Sequence, residues 1–339
     1  MTRFGFMLLI ALAAAIGAPP EASAAENGAT PNTRSELQVR LQALADRARP
    51  GTLGVVVLDL TSGTEWRVNA DRAYPMMSVF KAPIAATVLA QVDKGVVSLD
   101  QVVTLTRADV RDGSAMPSIG VHFHGDSMTF TVRQLLVAAV SQSDNTAADA
   151  LIRLVGGPEA VTAFLRSHGI EGMRVDLDEG GVSLVFAHAG PSGLLPPAET
   201  KEQQDQRMQR GLEAFLADPR NRSTPDAAIA FLRKLWANDL VSSASTHYLI
   251  DLLYAQTVPS RLRAGVPSSI RLADKCGTSE TLDGVTAAYN DIGVMTWPNG
   301  HSVVVAAFLT ASTASKSERD AIFADLARAV VSLDAPANH

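Results

Sequence analysis

The strand-forming segments of this 339-residue chain stand near its two ends and are separated by a long helical stretch, from residue 78 to about 256. Two β-branched runs, 52–60 and 65–70, flank a Thr-Ser-Gly turn and indicate a hairpin. Three more strand patterns follow the helical stretch, at 269–278, 286–298 and 301–311. Because each set needs hydrogen-bonding partners, the simplest arrangement is one antiparallel five-stranded sheet built from both ends of the chain.

This arrangement predicts an α/β (α+β) fold with two units. Amphipathic helices at 35–48 and about 316–332 flank the sheet, and together with the strands they form a sheet domain from 26–75 plus 259–339. An all-helical domain, 76–258, is inserted between the two parts of the sheet domain. Ligands bind preferentially in clefts between such units, so we expect the active site there.

Composition excludes several classes of function. A net charge of −6 argues against a nucleic-acid partner, which would need a basic face. The single cysteine, Cys276, excludes an internal disulfide and a cysteine-rich metal site. The one H-x-H pair, His122 and His124, has no third ligand at useful spacing and is better explained as part of a loop. We therefore expect neither a metal nor another cofactor, and a small molecule as the ligand.

The first 25 residues are typical of a secretory signal peptide. Arg3 supplies the positive start, residues 4–16 form a short apolar segment, and 22–24 read Ala-Ser-Ala, a cleavage pattern. A membrane anchor is the alternative, but the apolar run is short and ends at two prolines. The sequence predicts export to the periplasm or medium, no membrane attachment after cleavage, and a monomer.

Ser78 and Lys81 lie one helical turn apart at the start of an apolar helix pattern. A serine in this position has its backbone N–H directed outward at the positive end of the helix dipole. A lysine one turn later reaches the hydroxyl and, when neutral, can accept its proton, which makes the serine a nucleophile. The alternative is a capping serine beside a lysine that extends toward solvent.

Two further motifs accompany this pair. Ser143, Asp144 and Asn145 stand at a junction between helix patterns, where these residue types are also the preferred N-caps. Lys275 precedes Cys276 and Gly277 on an apolar strand pattern. Glycine in a strand allows another backbone or a ligand to approach closely.

The three motifs in this order resemble those of class A β-lactamases and penicillin-binding proteins. The chain is similar to a class A serine β-lactamase over roughly residues 40–332, and particularly to the divergent extended-spectrum branch of that family. The most similar stretches are 69–83, 141–151, 156–166 and 290–300. The resemblance implies hydrolysis of the β-lactam amide of penicillins or cephalosporins, and with it antibiotic resistance.

The resemblance also implies a role for each motif residue. Ser78 would accept the acyl group, with Lys81 sharing in its activation. Ser143 would pass a proton to the leaving nitrogen, with Lys275 nearby. Asn145 would bind the side-chain amide of the substrate and orient Lys81. The residues implied to contact the substrate on the strand are Cys276, Gly277, Thr278 and Ser279, and the backbone N–H groups of Ser78 and Thr278 would form the oxyanion hole.

Hydrolysis of the acyl-enzyme needs a carboxylate that activates water. The Arg-x-Glu-x-x-Leu-Asn string common in the family is absent from this sequence. Counting forward from the preceding helix, as in the divergent branch, places Glu179 at the expected position and Ser183 where an Asn usually helps to hold the water. Asp176 and Asp178 are the alternative acids.

Two features depart from the family, and one expected substrate contact is not located in the sequence. Cys276 replaces the usual threonine, and a thiol is a weak donor for a substrate carboxylate, so Thr278 or Ser279 would compensate. The segment 184–222 is an insertion with an apolar stripe typical of an amphipathic helix, either bordering the site or decorating the surface. The arginine that counters the carboxylate is not identified, and the candidates are Arg261, Arg263 and Arg271.

Two other functions remain open at this point. A DD-peptidase or penicillin-binding protein would be acylated by β-lactams but would deacylate slowly, and the missing glutamate string and Cys276 favour it somewhat. A non-catalytic penicillin sensor would normally need a membrane or partner segment, and we see none in the sequence.

Overall fold

A computed structural model describes residues 1, 31–113, 118–189, 195–196 and 198–334 of the chain. The predicted signal peptide therefore lies outside the described residues, except for Met1. Among the described residues, no helix combines the length and the apolar character needed to cross a membrane.

The strands, numbered along the chain, are β1 (Thr52–Asp59), β2 (Glu65–Val68), β3 (Tyr74–Pro75), β4 (Val102–Thr106), β5 (Ser127–Thr131), β6 (Arg222–Ser223), β7 (Arg271–Thr278), β8 (Thr281–Leu282), β9 (Val285–Thr296) and β10 (Ser302–Ser312). The α-helices are α1 (Pro31–Arg47), α2 (Lys81–Asp93), α3 (Ser118–His122), α4 (Val132–Ser141), α5 (Asn145–Val155), α6 (Pro158–Ser167), α7 (Glu179–Phe186), α8 (Lys201–Ala217), α9 (Pro225–Trp236), α10 (Ser243–Tyr254) and α11 (Lys316–Val331). Short 3-10 helices span Met77–Phe80, Arg107–Asp109, Arg261–Gly265 and Ser332–Asp334.

The central sheet joins both ends of the chain, which confirms the predicted fold. Its five strands are antiparallel and lie in the order β2-β1-β10-β9-β7, and the short β8 also pairs with β9. The register between β1 and β10 runs from Thr52 opposite Thr310 to Asp59 opposite Val303. Strand β7 forms one edge of the sheet, and this edge carries the Lys275-Cys276-Gly277 motif.

Both faces of the sheet are covered, which explains the apolar runs in its strands. Val55 and Val57 point toward a core shared with α1 and α11, whereas Val56 and Leu58 point toward the larger core of the helical block. Helix α2 lies inside that larger core, and its first nine residues are buried.

The prediction of an all-helical insertion over 76–258 is wrong in detail. Strands β4 and β5 form a two-stranded hairpin, and β3 pairs with β6, so part of the insertion is β structure. Val103 and Leu105 of β4 face the core in alternation with exposed residues, but the strand is only five residues long, so the alternating signal is weak.

A single asparagine closes the base of the loop that contains α7 and α8. The side chain of Asn221 accepts hydrogen bonds from the backbone N–H groups of Asp176 (2.7 Å) and Leu177 (2.9 Å) and donates to the carbonyl of Leu177 (2.9 Å). Asn221 is 5% exposed, so these bonds are shielded from water. The loop therefore leaves and rejoins the helical block at one fixed point.

We expect Asn221→Ala to lower the free energy of unfolding by about 2–3 kcal/mol more than Asn238→Ala, because it leaves buried backbone groups unpaired. Asn238 is a matched control, since it is exposed and has a similar left-handed backbone, with φ of 61° against 50° at Asn221. Both variants therefore meet the same backbone strain. Urea unfolding of the two variants gives the difference. Equal losses of unfolding free energy would contradict the stabilising role of Asn221 at the base of the loop.

Candidate active site

The Ser78 hydroxyl is presented by a tight turn rather than by a regular helix start. The 3-10 segment Met77–Phe80 leads directly into α2, which begins at Lys81. Met77 has a φ of 46°, a left-handed conformation that is costly for a residue with a side chain and is typical of functional sites. Ser78 is half-buried, and its Oγ lies 2.9 Å from Lys81 Nζ.

The ammonium of Lys81 is the common partner of the polar groups in the site. It is fully buried and donates to Ser78 Oγ at 2.9 Å, to the Ser143 carbonyl at 2.7 Å and to Asn145 Oδ1 at 2.6 Å. These three acceptors match the three protons of an ammonium. Glu179 Oε1 lies 2.9 Å from the same nitrogen, as an ion pair.

Glu179 is thus brought next to the predicted nucleophile and its lysine. It is 5% exposed, and the partner of its Oε1 is the Lys81 ammonium, 2.9 Å away. The two alternative acids are engaged elsewhere. Asp176 pairs with Arg174 at 2.6 Å, and Asp178 caps α7 by accepting from the N–H of Gly181 at 2.7 Å.

Asp149 fixes the backbone at Glu179, and sequence reasoning missed it. Its carboxylate accepts from the N–H of Glu179 at 2.7 Å and of Gly180 at 3.2 Å, and from Arg111 Nε at 2.8 Å. Burial, together with the nearby charge of Asp178, raises the pKa of Asp149 to about 6. Its spacing could have indicated a place near the site, because Asp149 follows Asn145 by four residues in α5 and residues at this spacing share a helix face.

Ser183 lies one helical turn after Glu179 on α7, as the count from the sequence predicts. Its side chain is exposed, unlike that of Glu179. The structure brings it to the correct face of the helix but not into the buried network around Lys81.

Ser143 lies between the two buried lysines. Its Oγ accepts from Lys275 Nζ at 3.0 Å, and Lys81 Nζ lies 3.5 Å away. Ser143 has a φ of 61°, so this motif also requires a strained backbone. Burial lowers the pKa of Lys275 to about 8, and the charge of Lys81 acts in the same direction.

Asp144 and Asn145 of the Ser-Asp-Asn motif make different kinds of contact. Asp144 is the N-cap of α5 and accepts from the N–H of Ala147 at 2.8 Å, as the capping interpretation predicts. Asn145 instead orients Lys81 through its Oδ1, while its Nδ2 donates to the carbonyl of Asp112 at 2.7 Å. The capping interpretation therefore holds for Asp144, whereas Asn145 contacts Lys81 and its predicted role in substrate binding stays a prediction.

Gly277 lets the edge strand β7 pack against the nucleophile turn. A Cβ at this position would overlap the carbonyl oxygen of Met76 and lie 3.1 Å from the backbone nitrogen of Ser78. Asn290 on the neighbouring strand also hydrogen-bonds to this turn, donating to the carbonyls of Pro75 (2.8 Å) and Met76 (3.0 Å). The sheet edge and the turn thus form one rigid unit.

The backbone of β7 directs the N–H of Thr278 toward this turn. The next residue, Ser279, donates its N–H to the carbonyl of Ala288 on β9 at 2.9 Å. Because successive N–H groups of a strand point to opposite edges, the N–H of Thr278 faces the free edge of β7. The N–H groups of Ser78 and Thr278 can therefore converge on one oxyanion.

The side chains that follow Lys275 differ in their exposure to solvent. Thr278 is exposed and is hydrogen-bonded by Arg261, whereas Cys276 is 4% exposed and its Sγ accepts from Gln256 Nε2 at 3.7 Å. Burial raises the pKa of the Cys276 thiol, so it is a poor nucleophile.

The predicted substrate contact of Ser279 is wrong for its hydroxyl. The Oγ accepts from the N–H of Ala288 at 3.0 Å and donates to the carbonyl of Glu280 at 2.9 Å. Ser279 is 6% exposed, so the hydroxyl stabilises the end of β7 rather than facing a ligand.

Among the three candidate arginines, Arg261 lies at the site. Its guanidinium donates to Thr278 Oγ1 and stacks over the ring of Tyr289 at 4.0 Å. Arg263 pairs with the buried Asp274, and Arg271 stacks over the ring of Tyr254 at 3.9 Å. The sequence could not show which of the three arginines lies at the site, because they differ in the direction of their side chains.

Comparison with known proteins gives a consistent result. The family model described as the beta-lactamase enzyme family matches residues 36–333. Beta-lactamase L2 of Stenotrophomonas maltophilia is 33% identical over 290 residues, which cover 84% of this chain and 82% of that protein. Extended-spectrum beta-lactamase PER-1 of Pseudomonas aeruginosa is 32% identical over 281 residues, covering 83% of this chain and 82% of that protein.

Solved structures agree with these relatives. A beta-lactamase from Chitinophaga pinensis DSM 2588 aligns with a TM-score of 0.72 at 30% identity, covering 88% of this chain and 98% of that one. The ancestral class A beta-lactamase of Gram-negative bacteria aligns with a TM-score of 0.70 at 37% identity, covering 87% of this chain and 99% of that one. The matched region includes every group of the site described above.

Proposed function

This chain belongs to the β-lactamase enzyme family and functions as a class A serine β-lactamase, and we propose that it hydrolyses penicillins and cephalosporins through an acyl-enzyme on Ser78. One observation carries the residue assignment. A single buried ammonium, that of Lys81, lies 2.9 Å from the Ser78 hydroxyl and 2.9 Å from the Glu179 carboxylate. Nucleophile, lysine and carboxylate are therefore linked in one proton-transfer path.

In acylation, Ser78 Oγ attacks the carbonyl carbon of the lactam. Its proton passes to the neutral amine of Lys81, a transfer that the 2.9 Å contact between Ser78 Oγ and Lys81 Nζ supports. The N–H groups of Ser78 and Thr278 hold the oxyanion, and loss of one such donor typically costs about 100- to 1000-fold in rate. The ester then forms as the C–N bond breaks.

The leaving nitrogen takes its proton from Ser143. The Ser143 hydroxyl lies 3.0 Å from Lys275 Nζ and 3.5 Å from Lys81 Nζ, so either ammonium can replace the proton that it gives up. The positive charge of Lys275 also stabilises negative charge on Ser143 during the transfer.

The substrate carboxylate binds Thr278 and Lys275, with Arg261 behind them. Thr278 is exposed and Cys276 is buried, which supports Thr278 as the hydroxyl donor that the family usually places at position 276. Asn145 binds the side-chain amide of the substrate. Its Nδ2 carries two protons, so it can donate to the substrate as well as to the carbonyl of Asp112.

Deacylation requires Glu179 to take a proton from a water that attacks the ester. The buried carboxylate beside Ser78 favours this step and therefore favours a hydrolase over a slowly deacylating penicillin-binding protein. Ser183, exposed on the same helix face, would contact this water only from the solvent side. We also propose that the protein is exported after loss of its first 25 residues and acts as a monomer.

Glu179→Gln tests the assignment of the base. We expect the burst of a chromogenic cephalosporin to persist while steady turnover falls by about 100- to 10,000-fold, the usual contribution of a general base. Intact-mass spectrometry should then detect one stable adduct on Ser78.

Ser78→Ala is the matched control, and it should show neither burst nor adduct. Continued turnover in Glu179→Gln at the native rate would rule out Glu179 as the base. A stable adduct that already accumulates in the native protein would favour the penicillin-binding alternative.

The pH dependence of acylation follows from Lys275. Because burial lowers its pKa to about 8, Lys275 is charged below that pH and loses its charge as pH rises through it. We expect kcat/KM for benzylpenicillin to fall above about pH 8, and the fall to move to higher pH in Lys275→Arg, since arginine stays charged. An alkaline limb that is unchanged in Lys275→Arg would contradict this role.

A further inference from the structure

The inserted helix α8 completes a third hydrophobic core, separate from the two cores on the faces of the sheet. The members of this third core are Val182, Leu212, Phe215 and Ala287, with Met77, Leu177, Val185, Phe186, Leu216, Leu282 and Val285 packed against them. Leu212 and Phe215 of α8 are 5% and 6% exposed. Such burial is inconsistent with a helix that merely decorates the surface.

The third core touches three parts of the site. Met77 precedes the nucleophile, Val182 stands three residues after Glu179 on α7, and Leu282 and Val285 belong to the β8–β9 turn beside the edge strand. Helix α8 therefore joins the loop that carries Glu179 to the sheet and to the nucleophile turn.

The contact between α8 and α7 is a close backbone approach. A Cβ at Gly211 would overlap the carbonyl oxygen of Phe186, so only glycine permits this distance between the helices. The rings of Phe186 and Phe215 stack with centroids 3.9 Å apart. The last turn of α7 is thus packed tightly on the middle of α8.

Two buried arginines donate hydrogen bonds to backbone carbonyls at the two ends of the contact between α7 and α8. Arg207 of α8 donates to the carbonyl of Ala187 at the end of α7 and is held by Glu199, with an N–O distance of 2.9 Å. Arg222 donates to the carbonyls of Phe215, Leu216 and Asp218, which closes the C-terminal end of α8. Arg207 and Arg222 are 6% and 8% exposed.

Helix α7 is consequently held at two points. Asp149 binds its first backbone N–H groups, at Glu179 and Gly180, and α8 holds its last turn. Without α8, the eight-residue α7 could pivot about the Asp149 contact and move the Glu179 carboxylate.

We propose that α8 is a positioning element for deacylation, acting through Leu212 and Phe215 on Glu179; this inference rests on the proposed function. Ser78, Lys81, Ser143 and Lys275 lie outside the third core and are linked by their own hydrogen bonds, and Val79 and Phe80, next to Ser78, pack in the larger core. Loosening α8 therefore affects the water-activating carboxylate more than the acylating groups. A displacement of about 1 Å at a catalytic group can cost about 100-fold in rate.

The test compares the acylation and deacylation rate constants of Leu212→Ala and Phe215→Ala with those of the native enzyme. Stopped-flow measurements with a chromogenic cephalosporin, combined with intact-mass quantification of the acyl-enzyme, separate the two steps. We expect deacylation to fall by about 10- to 100-fold and acylation by less than about threefold. The acylated fraction at steady state should rise accordingly.

Three controls exclude a general loss of stability. Leu326→Ala removes a leucine that is 0% exposed, against 5% for Leu212, from the core that the sheet shares with α1 and α11. Glu213→Ala alters an exposed residue of α8. Both should leave the ratio of the two rate constants unchanged. Phe215→Leu keeps most of the apolar volume and should recover most of the deacylation rate.

Equal losses in both steps, or the same change of ratio in Leu326→Ala, would overturn the proposal. Glu179→Gln is measured alongside, and it distinguishes failure of the α8 proposal from failure of the proposed function. If Glu179→Gln deacylates normally, the assignment of the base is wrong. If Glu179→Gln is trapped while the α8 variants turn over normally, only the positioning role of α8 is wrong.

Discussion

The buried ammonium of Lys81 is the interaction on which the rest of the site depends. Removing a charge from water is costly unless it is paired and hydrogen-bonded, and the compensating groups here come from three parts of the chain. Ser78 comes from the nucleophile turn, Ser143 and Asn145 from the helical block, and Glu179 from the loop. The folded protein stabilises this charge only when all of these parts have docked, so fold and catalytic geometry form together.

The sheet edge holds this arrangement against the nucleophile turn. Gly277 allows β7 to approach the turn at backbone distance, and Asn290 ties the turn to β9. The same strand presents Lys275 to Ser143 and Thr278 to Arg261. Apart from the exposed Thr278 hydroxyl, these contacts are to backbone or buried groups, which favours a rigid nucleophile turn. Glu179, the proposed base for deacylation, lies on a loop that Asp149 and α8 contact.

Sequence patterns predicted the parts of the molecule that repeat or that carry rare residue combinations. The sheet followed from apolar strand runs at both ends of the chain, and α8 from its apolar stripe. The position of Glu179 followed from counting along the family pattern. What the sequence did not reveal depends on orientation or on contacts between distant segments. Asp149 and Asn221 read as ordinary polar residues, although each binds backbone N–H groups about 30 to 45 positions away.

Orientation also decided the roles of residues next to one another. Cys276, Thr278 and Ser279 were all expected to contact the substrate, yet Thr278 alone has an exposed side chain among them. A one-residue step along a strand reverses the direction of the side chain, which separates Ser279 from Thr278. Cys276 and Thr278 are two residues apart and share a face, so their different exposure comes from their neighbours, such as Gln256 beside Cys276. The hairpin of β4 and β5 was missed because each strand is short, although Val103, Leu105, Met128 and Phe130 pack on the larger core.

The most direct test of this account is the acylation rate of Lys81→Met, followed by intact-mass spectrometry with benzylpenicillin at the native pH optimum. Circular dichroism first verifies that the variant is folded. If the buried ammonium organises and activates Ser78, adduct formation should slow by about 100- to 10,000-fold. Adduct formation at the native rate in a folded Lys81→Met protein would contradict the central claim.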